Sequence, residues 1–143
     1  MQSVINGLNS IGYEDGIVAI HDGARPLITP VLIDKVVGEA RIYKAAIPAV
    51  RVKDTVKSAE SAKGGFVQST PDRDLLFSAQ TPQVFDLRLY REAINCQLSV
   101  TDDSMLVERM GVKVKIVEGD ERNIKITTPN DLRVAEELLR EIN

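Results

Sequence analysis

The stretch Ile17-Val18-Ala19-Ile20-His21-Asp22-Gly23-Ala24-Arg25-Pro26 decides how this chain is read. Four apolar residues run directly into His-Asp, and Gly-Ala-Arg-Pro then turns the backbone. A short apolar run bounded by Gly and Pro predicts a buried strand of a parallel sheet. The polar cluster falls at that strand's carboxyl end, where open α/β sheets form their ligand crevice. It offers Asp22 to a metal or a hydroxyl, Arg25 to a phosphate, and Gly23 for close backbone approach. The same residues also suit an ordinary polar turn in which Asp22 and Arg25 cap local backbone.

Upstream, Val4, Ile5, Leu8 and Ile11 fall at helical spacing, so the chain opens in a helix over Gln2 to Ile11. Downstream, Thr29-Pro30 is a helix start, with threonine as cap and proline in the first turn. Ile33, Val36, Val37 and Ala40 give that helix its apolar face to about Ile42. Lys44 to Val50 predicts a second strand, with Pro48 near its end because proline cannot donate to a ladder.

Residues 51 to 72 differ in character. They predict two polar strands about a turn-rich loop, a β-arm unable to bury its own surface. Thr81 to Phe85 reads as extended, and Asp86 caps a helix through Leu98. Thr101 caps another over Asp102 to Met110, which Gly111 ends. Val112, Val114 and Ile116 predict a half-exposed strand, and Thr128-Pro129-Asn130-Asp131 is a capping box for a final helix. Strands alternating with helices imply one α/β domain with a mainly parallel sheet.

Composition limits the function classes. The chain has 143 residues, 43% hydrophobic and 27% charged, in the range of a globular domain with its own core. A net charge of −3 and a pI near 5.2 argue against a nucleic-acid surface. A lone Cys96 provides no disulfide framework, so a reducing cytoplasm is the expected setting. There is neither a signal-peptide pattern nor an apolar run of membrane-spanning length. No Gly-x-Gly-x-x-Gly or Walker pattern, Cys/His metal spacing or serine triad occurs.

Polar residues nonetheless recur near predicted strand ends. They are Asp22 and Arg25, Thr55 with Lys53 and Lys57 in the arm, Asp72 and Arg73 at its base, Thr81, and Lys125. Several cations with hydroxyls suit a phosphorylated ligand. Lys53 and Lys57 read equally as a solvated edge that blocks strand aggregation. His21, the only histidine, reads as satisfying a neighbouring backbone group rather than as a base.

Six motifs in order then point to a family. They are His-Asp-Gly-Ala-Arg-Pro at 21–26, Val-Lys-Asp-Thr-Val-Lys at 52–57, Asp72-Arg73, Gln-Thr-Pro-Gln-Val-Phe at 80–85, Thr-Asp-Asp at 101–103, and Glu118-Gly119 followed by Asn-Ile-Lys-Ile-Thr at 123–127. With Ser-Val-Ile-Asn-Gly-Leu at 3–8, the chain closely resembles the 2-C-methyl-D-erythritol 4-phosphate cytidylyltransferase family of non-mevalonate isoprenoid biosynthesis. The resemblance implies a Rossmann-like nucleotidyltransferase sheet with a protruding β-arm. It also implies Mg2+-dependent transfer of CMP from CTP to a sugar-alcohol phosphate, with release of pyrophosphate.

Position by position, the resemblance places Ser3 near the cytosine and Asp22 near the ribose and the metal, with Gly23 beside it on the nucleotide side. Arg25 belongs to the turn supporting the site and counts with the substrate-binding residues. Thr55 and Arg73 would hold the sugar-alcohol phosphate bound in a partner subunit, Thr81 would touch it, and Lys125 would position its phosphate. Arg73 and Lys125 are thus the catalytic pair. The family is a homodimer that exchanges the arm, located in the cytoplasm or, in a plant, the plastid stroma. Its amino-terminal strand, glycine-rich loop, and transition-state Arg and Lys have no counterpart here. The chain is therefore expected to correspond to the carboxyl-terminal part of such an enzyme and to be inactive alone. Ribitol 5-phosphate cytidylyltransferase shares most motifs, although Ala24 in place of a valine-type residue favours methylerythritol. A non-catalytic dimerisation module is the alternative of another class.

Overall fold

The computed structural model describes residues 2–96 and 100–142. Helix α1 (Gln2–Ser10) leads into β1 (Ile17–Ile20), and α2 (Pro30–Tyr43) into β2 (Ala45–Arg51). A separate hairpin of β3 (Ser58–Ala59) and β4 (Val67–Ser69) follows, then a 3-10 turn (Arg73–Leu75), β5 (Phe77–Ala79) and β6 (Gln83–Asp86). Helices α3 (Leu87–Asn95) and α4 (Ser104–Glu108), strand β7 (Lys115–Glu118) and helix α5 (Pro129–Ile142) complete the order. The expected extension of α3 to Leu98 lies outside the described residues.

The α/β architecture is as expected, but the sheet is not mainly parallel between neighbours. β6 lies between β1 and β2 and is antiparallel to both, β5 is antiparallel to β2, and only β2 with β7 is a parallel pair. Because β1 and β2 each oppose β6, β1, β2 and β7 all point the same way. Strand-helix alternation thus fixed three directions correctly, while β6 enters between two of those strands. β1 is also not buried: it ends the sheet and is mostly half-buried.

Alternation along the central strands builds two cores. Ala46 and Val84 face α2, packing with Leu32, Val36, Ala40 and Val117. Their neighbours Ala45 and Phe85 face the other way, onto Leu8, Leu87, Tyr90, Ala93, Leu106 and Val107. Successive strand residues point to opposite faces, so one two-residue register supplies both layers. Phe85 stacks on Tyr90 with centroids 4.9 Å apart, and Tyr90 donates to Asp103. Burial and that hydrogen bond push the Tyr90 phenol well above its usual range.

Pro48 lies in the middle of β2, not near its end. Its carbonyl accepts from the Gln80 amide at 2.8 Å. A residue's N–H and C=O share one side of a strand, so the missing N–H faces Gln80 too. There the ladder shifts: Ala49 pairs with Ala79, but Ala45 pairs with Phe85. β5 and β6 are one interrupted strand along β2, and Pro48 occupies the interruption, where a proline removes no ladder bond.

The predicted caps form. Thr29 accepts from the Leu32 amide at 3.3 Å, and Asp86 from the Leu89 amide at 3.0 Å. Gly111 adopts φ 81° after α4, as its place behind a helix requires. α4 is shorter than expected: Asp103 stands at its start without a side-chain cap bond, and it is the Asp102 carboxylate, not Thr101, that accepts from the Met105 amide. β7 begins later than predicted and takes in Val117, whose burial against α2 selects it.

Candidate active site

Three irregular segments meet beyond the carboxyl end of β1: the turn at 21–26, the break at 80–82, and the loop at 119–127. The turn closes on itself through Arg25 N–H to the Asp22 carbonyl at 3.0 Å. The loop is joined to it by Ile126 N–H to the Ala24 carbonyl at 2.8 Å. Such backbone has no ladder to satisfy its polar groups, so side chains must do so.

Two buried amides supply those partners. Gln80, 6% exposed, donates from Nε2 to the Asp120 carbonyl at 2.8 Å, and its Oε1 accepts from the Asp120 amide at 3.3 Å. Its side chain therefore pairs with the loop as a neighbouring strand would. Asn123, 1% exposed, donates from Nδ2 to the Thr81 carbonyl at 2.9 Å. The Asn123 carbonyl in turn accepts from Arg25 Nη1 at 2.6 Å. Gly119 makes the approach possible, since a Cβ there would lie 2.5 Å from Gln80 Oε1 and 3.2 Å from the Ala49 backbone.

Those contacts bring Asp22, Arg25, Thr81 and Lys125 together, as the sequence motifs implied. Lys125 Nζ lies 3.0 Å and Arg25 Nε 3.5 Å from the same oxygen, Asp22 Oδ2. Burial raises the Asp22 pKa, but hydrogen bonding and charge from Lys125, with Arg25 behind them, outweigh it and hold the carboxyl below its usual range. The Arg25 guanidinium is only 12% exposed, with Nε engaged by the Asp22 ion pair alone and Nη1 by the Asn123 carbonyl. It braces the turn and the loop more than it presents a fork to solvent.

Thr81 Oγ1 accepts from the Asp22 amide at 3.0 Å and lies 2.9 Å from His21 Nδ1. His21 Nε2 lies 3.1 Å from the Arg25 carbonyl, so the histidine does satisfy a neighbouring backbone group. Gly23 is exposed in the same turn. Ser3 is exposed on the first turn of α1 and has no hydrogen bond to this cluster. Thr55, exposed beyond β2, has none either. Arg73, at the base of the arm, donates from Nη1 to the Lys53 carbonyl at 3.0 Å. Within one chain, then, the arm residues stay outside the Asp22 cluster.

Beside the cluster lies a concavity of about 420 Å³ lined by Arg25, Arg51, Lys53 and Lys125 with one acid, Glu121. Glu121 pairs with Lys53. Four cations to one carboxylate make a site for an anionic, phosphate-bearing ligand. Gln80 and Asn123 stand within the recognised motifs, yet their role was not assigned from sequence. The available signal was an amide residue beside each candidate, with no charge of its own to suggest a function.

A cation-lined crevice at the carboxyl end of a same-facing strand set is where α/β proteins hold anionic ligands. The chain matches the family described as 2-C-methyl-D-erythritol 4-phosphate cytidylyltransferase over residues 1–141, and it belongs to that family. It is 53% identical over 142 residues to the enzyme of that name from Caldanaerobacter subterraneus subsp. tengcongensis, covering 96% of this chain and 62% of that one. To the Geobacillus kaustophilus protein it is 52% identical, covering 96% and 60%. The crystal structure of the Thermus thermophilus cytidylyltransferase superposes with a TM-score of 0.83 at 34% identity, over 96% of this chain and 68% of that one. The 4-diphosphocytidyl-2C-methyl-D-erythritol synthase of Anaerococcus prevotii gives 0.87 at 38%, over 96% and 65%. The chain thus spans about three-fifths of the length of these curated relatives.

Proposed function

We propose that this chain forms the sugar-phosphate side of an enzyme that transfers CMP from CTP to 2-C-methyl-D-erythritol 4-phosphate. The substrate's phosphate oxygen attacks the α-phosphorus, the bond from that phosphorus to the bridging oxygen breaks, and pyrophosphate leaves with the electron pair. Such a reaction asks for positioning and charge neutralisation. The observation that carries the reading is the Asp22–Arg25–Thr81–Lys125 cluster beside a cation-lined concavity, in a chain of this family.

Lys125 is proposed to orient the attacking phosphate, with Arg25 bracing the turn beneath it. Asp22 is the proposed ligand for Mg2+, since its carboxyl is held below its usual range beside the crevice and magnesium commonly takes one or two protein carboxylates together with substrate phosphates. When bound, the ion neutralises triphosphate charge. Ser3 and Gly23 are assigned to the nucleotide side.

Thr55 and Arg73 are assigned to the sugar phosphate in a second subunit. Between residues 52 and 70 only Val52 and Ser58 are even half-buried, and Phe66 is 80% exposed, which supports an arm that lies on another copy. A homodimer through residues 51–72 follows from this reading. A reducing compartment, the cytoplasm or a plant plastid stroma, suits the exposed Cys96 thiol.

The test is calorimetric titration with methylerythritol phosphate and ribitol 5-phosphate, beside pyrophosphate release from CTP with Mg2+. Tighter binding of methylerythritol phosphate is expected. Tighter ribitol phosphate binding would reassign the acceptor, and binding of neither would favour a dimerisation module. The 143 residues alone are expected to turn over near background, because each preorganised electrostatic contact missing from a site typically costs about 100- to 1,000-fold. Turnover of about 1 per second or faster would refute that expectation.

A further inference from the structure

We propose that His21 is a specificity-determining residue: it takes the Thr81 hydroxyl proton, so that Thr81 reads a hydroxyl of the sugar alcohol and not its phosphate. The inference rests on the function proposed above and assigns a part of the substrate to one side chain.

The argument is a count of protons and lone pairs. The Arg25 carbonyl can only accept, so His21 Nε2, 3.1 Å away, must carry hydrogen. In the neutral ring Nδ1 then holds a lone pair. Thr81 Oγ1, 2.9 Å from it, must therefore donate. The Asp22 N–H, 3.0 Å from Oγ1, can only donate, and it fills one of the two hydroxyl lone pairs. The chain of bonds runs one way, from Asp22 N–H to Thr81 O–H to His21, and from His21 N–H to the Arg25 carbonyl.

One lone pair on Oγ1 remains, with no donor on it among the described residues. Thr81 is half-buried, beside the crevice. Toward a ligand it is an acceptor with no proton left to give. Phosphate oxygens are acceptors too and gain nothing from it, whereas a polyol hydroxyl donates to it directly. Cations line the neighbouring concavity, so phosphate and polyol recognition separate in space: Lys125 and Arg25 on one side, Thr81 on the other. Without His21, nothing would hold the hydroxyl proton, and Thr81 would no longer be fixed as an acceptor toward the polyol. His21 touches neither substrate in this scheme; it sets what Thr81 can say to one.

The chain has a single histidine, so long-range 1H–15N correlation in alkaline buffer reads His21 without assignment. A protonated Nε2 and an unprotonated Nδ1 are expected; the opposite tautomer overturns the proposal. Binding of two probes then tests the consequence. His21→Leu is expected to weaken 2-C-methyl-D-erythritol 4-phosphate about 5- to 10-fold, the usual worth of one neutral hydrogen bond, while inorganic phosphate changes less than about twofold. His21→Asn, whose amide oxygen can accept from Thr81, is expected to restore sugar-phosphate affinity to within about threefold. Equal losses for both probes, or no rescue by asparagine, would reduce His21 to a structural residue. If the unaltered chain binds inorganic phosphate but not the sugar-alcohol phosphate, the substrate assignment fails, and the tautomer from the same sample still decides the geometry.

Discussion

Two irregular regions of this molecule, the loop at 119–127 and the arm at 51–72, are similarly polar and solve the same backbone problem in opposite ways. The loop is held from within, where the Gln80 side chain pairs with the Asp120 peptide groups as a strand would and the Asn123 side chain ties the loop to the Thr81 carbonyl. At its base the arm is tied to the rest of the chain, Lys53 pairing with Glu121, but its outer part holds only itself, through contacts such as Lys57 to Thr70 at 2.8 Å and Ser58 to Gln68 at 3.3 Å. Ordering backbone costs about 1–2 kcal/mol per residue. Buried amide pairs offset that cost in the loop, and nothing comparable does so for the arm inside one chain. The loop is therefore ordered by its own side chains, whereas on the reading proposed above the arm takes its support from a second copy.

If the loop is held by Asn123, breaking that hold has the largest effect. Asn123→Ala leaves the part-buried Thr81 carbonyl without its donor and opens a gap at a residue 1% exposed, and a loss of about 1–3 kcal/mol is expected in urea unfolding. Ser61→Ala at the arm tip is expected to change stability by less than about 0.5 kcal/mol. Similar values for the two would erase the contrast.

Arg73→Lys sharpens the comparison at the arm's base. Charge is kept but the two-pronged guanidinium geometry is lost. In the active enzyme a rise of about tenfold in KM for the sugar phosphate is expected, worth about 1.4 kcal/mol, with KM for CTP little changed. An unaltered KM for the sugar phosphate removes Arg73 from the site.

The arm itself can be removed. Joining Lys57 to Thr70 by a two-glycine turn is expected to leave stability within about 0.5 kcal/mol, as for other surface changes, while sedimentation shifts to monomer. A dimer that survives the deletion would place the interface elsewhere.

Sequence made visible what depends on near neighbours. Thr29-Pro30, Asp86 and Gly111 mark helix ends by local chemistry, and each behaves as its type dictates. The Asp22 cluster was legible because charges beside strand ends are conspicuous. Strand direction was not, since β6 enters between β1 and β2 by long-range pairing that no local pattern encodes. Pro48 misled for a similar reason: its place depends on a register shift in strands far along the chain. Gln80 and Asn123 went unassigned because a buried amide draws its meaning from the backbone it meets.

The smallest expected effect lies at α5, where an exposed cap can be followed by pH alone. Asp131 Oδ2 accepts from the Thr127 amide at 2.9 Å, the Thr127 hydroxyl at 2.9 Å and the Thr128 amide at 2.8 Å, while Thr128 Oγ1 accepts from the Asp131 amide at 3.2 Å. The Thr127 amide is the leading influence, and together these donors lower the Asp131 pKa to about 2 from 3.8. A carboxyl depressed on folding contributes stability that is fully present above its unfolded value and lost as pH falls through its folded one. The contribution should therefore be constant above about pH 5 and fade between about pH 4 and about pH 2. Asp131→Asn keeps an acceptor but loses the charge, so its melting temperature is expected below that of the unaltered chain at neutral pH. The gap should narrow as the buffer is taken from about pH 5 to about pH 3. A gap of constant width would mean that the cap acts through its hydrogen-bond geometry and not its charge, and α5 would then begin as firmly in acid as at neutral pH.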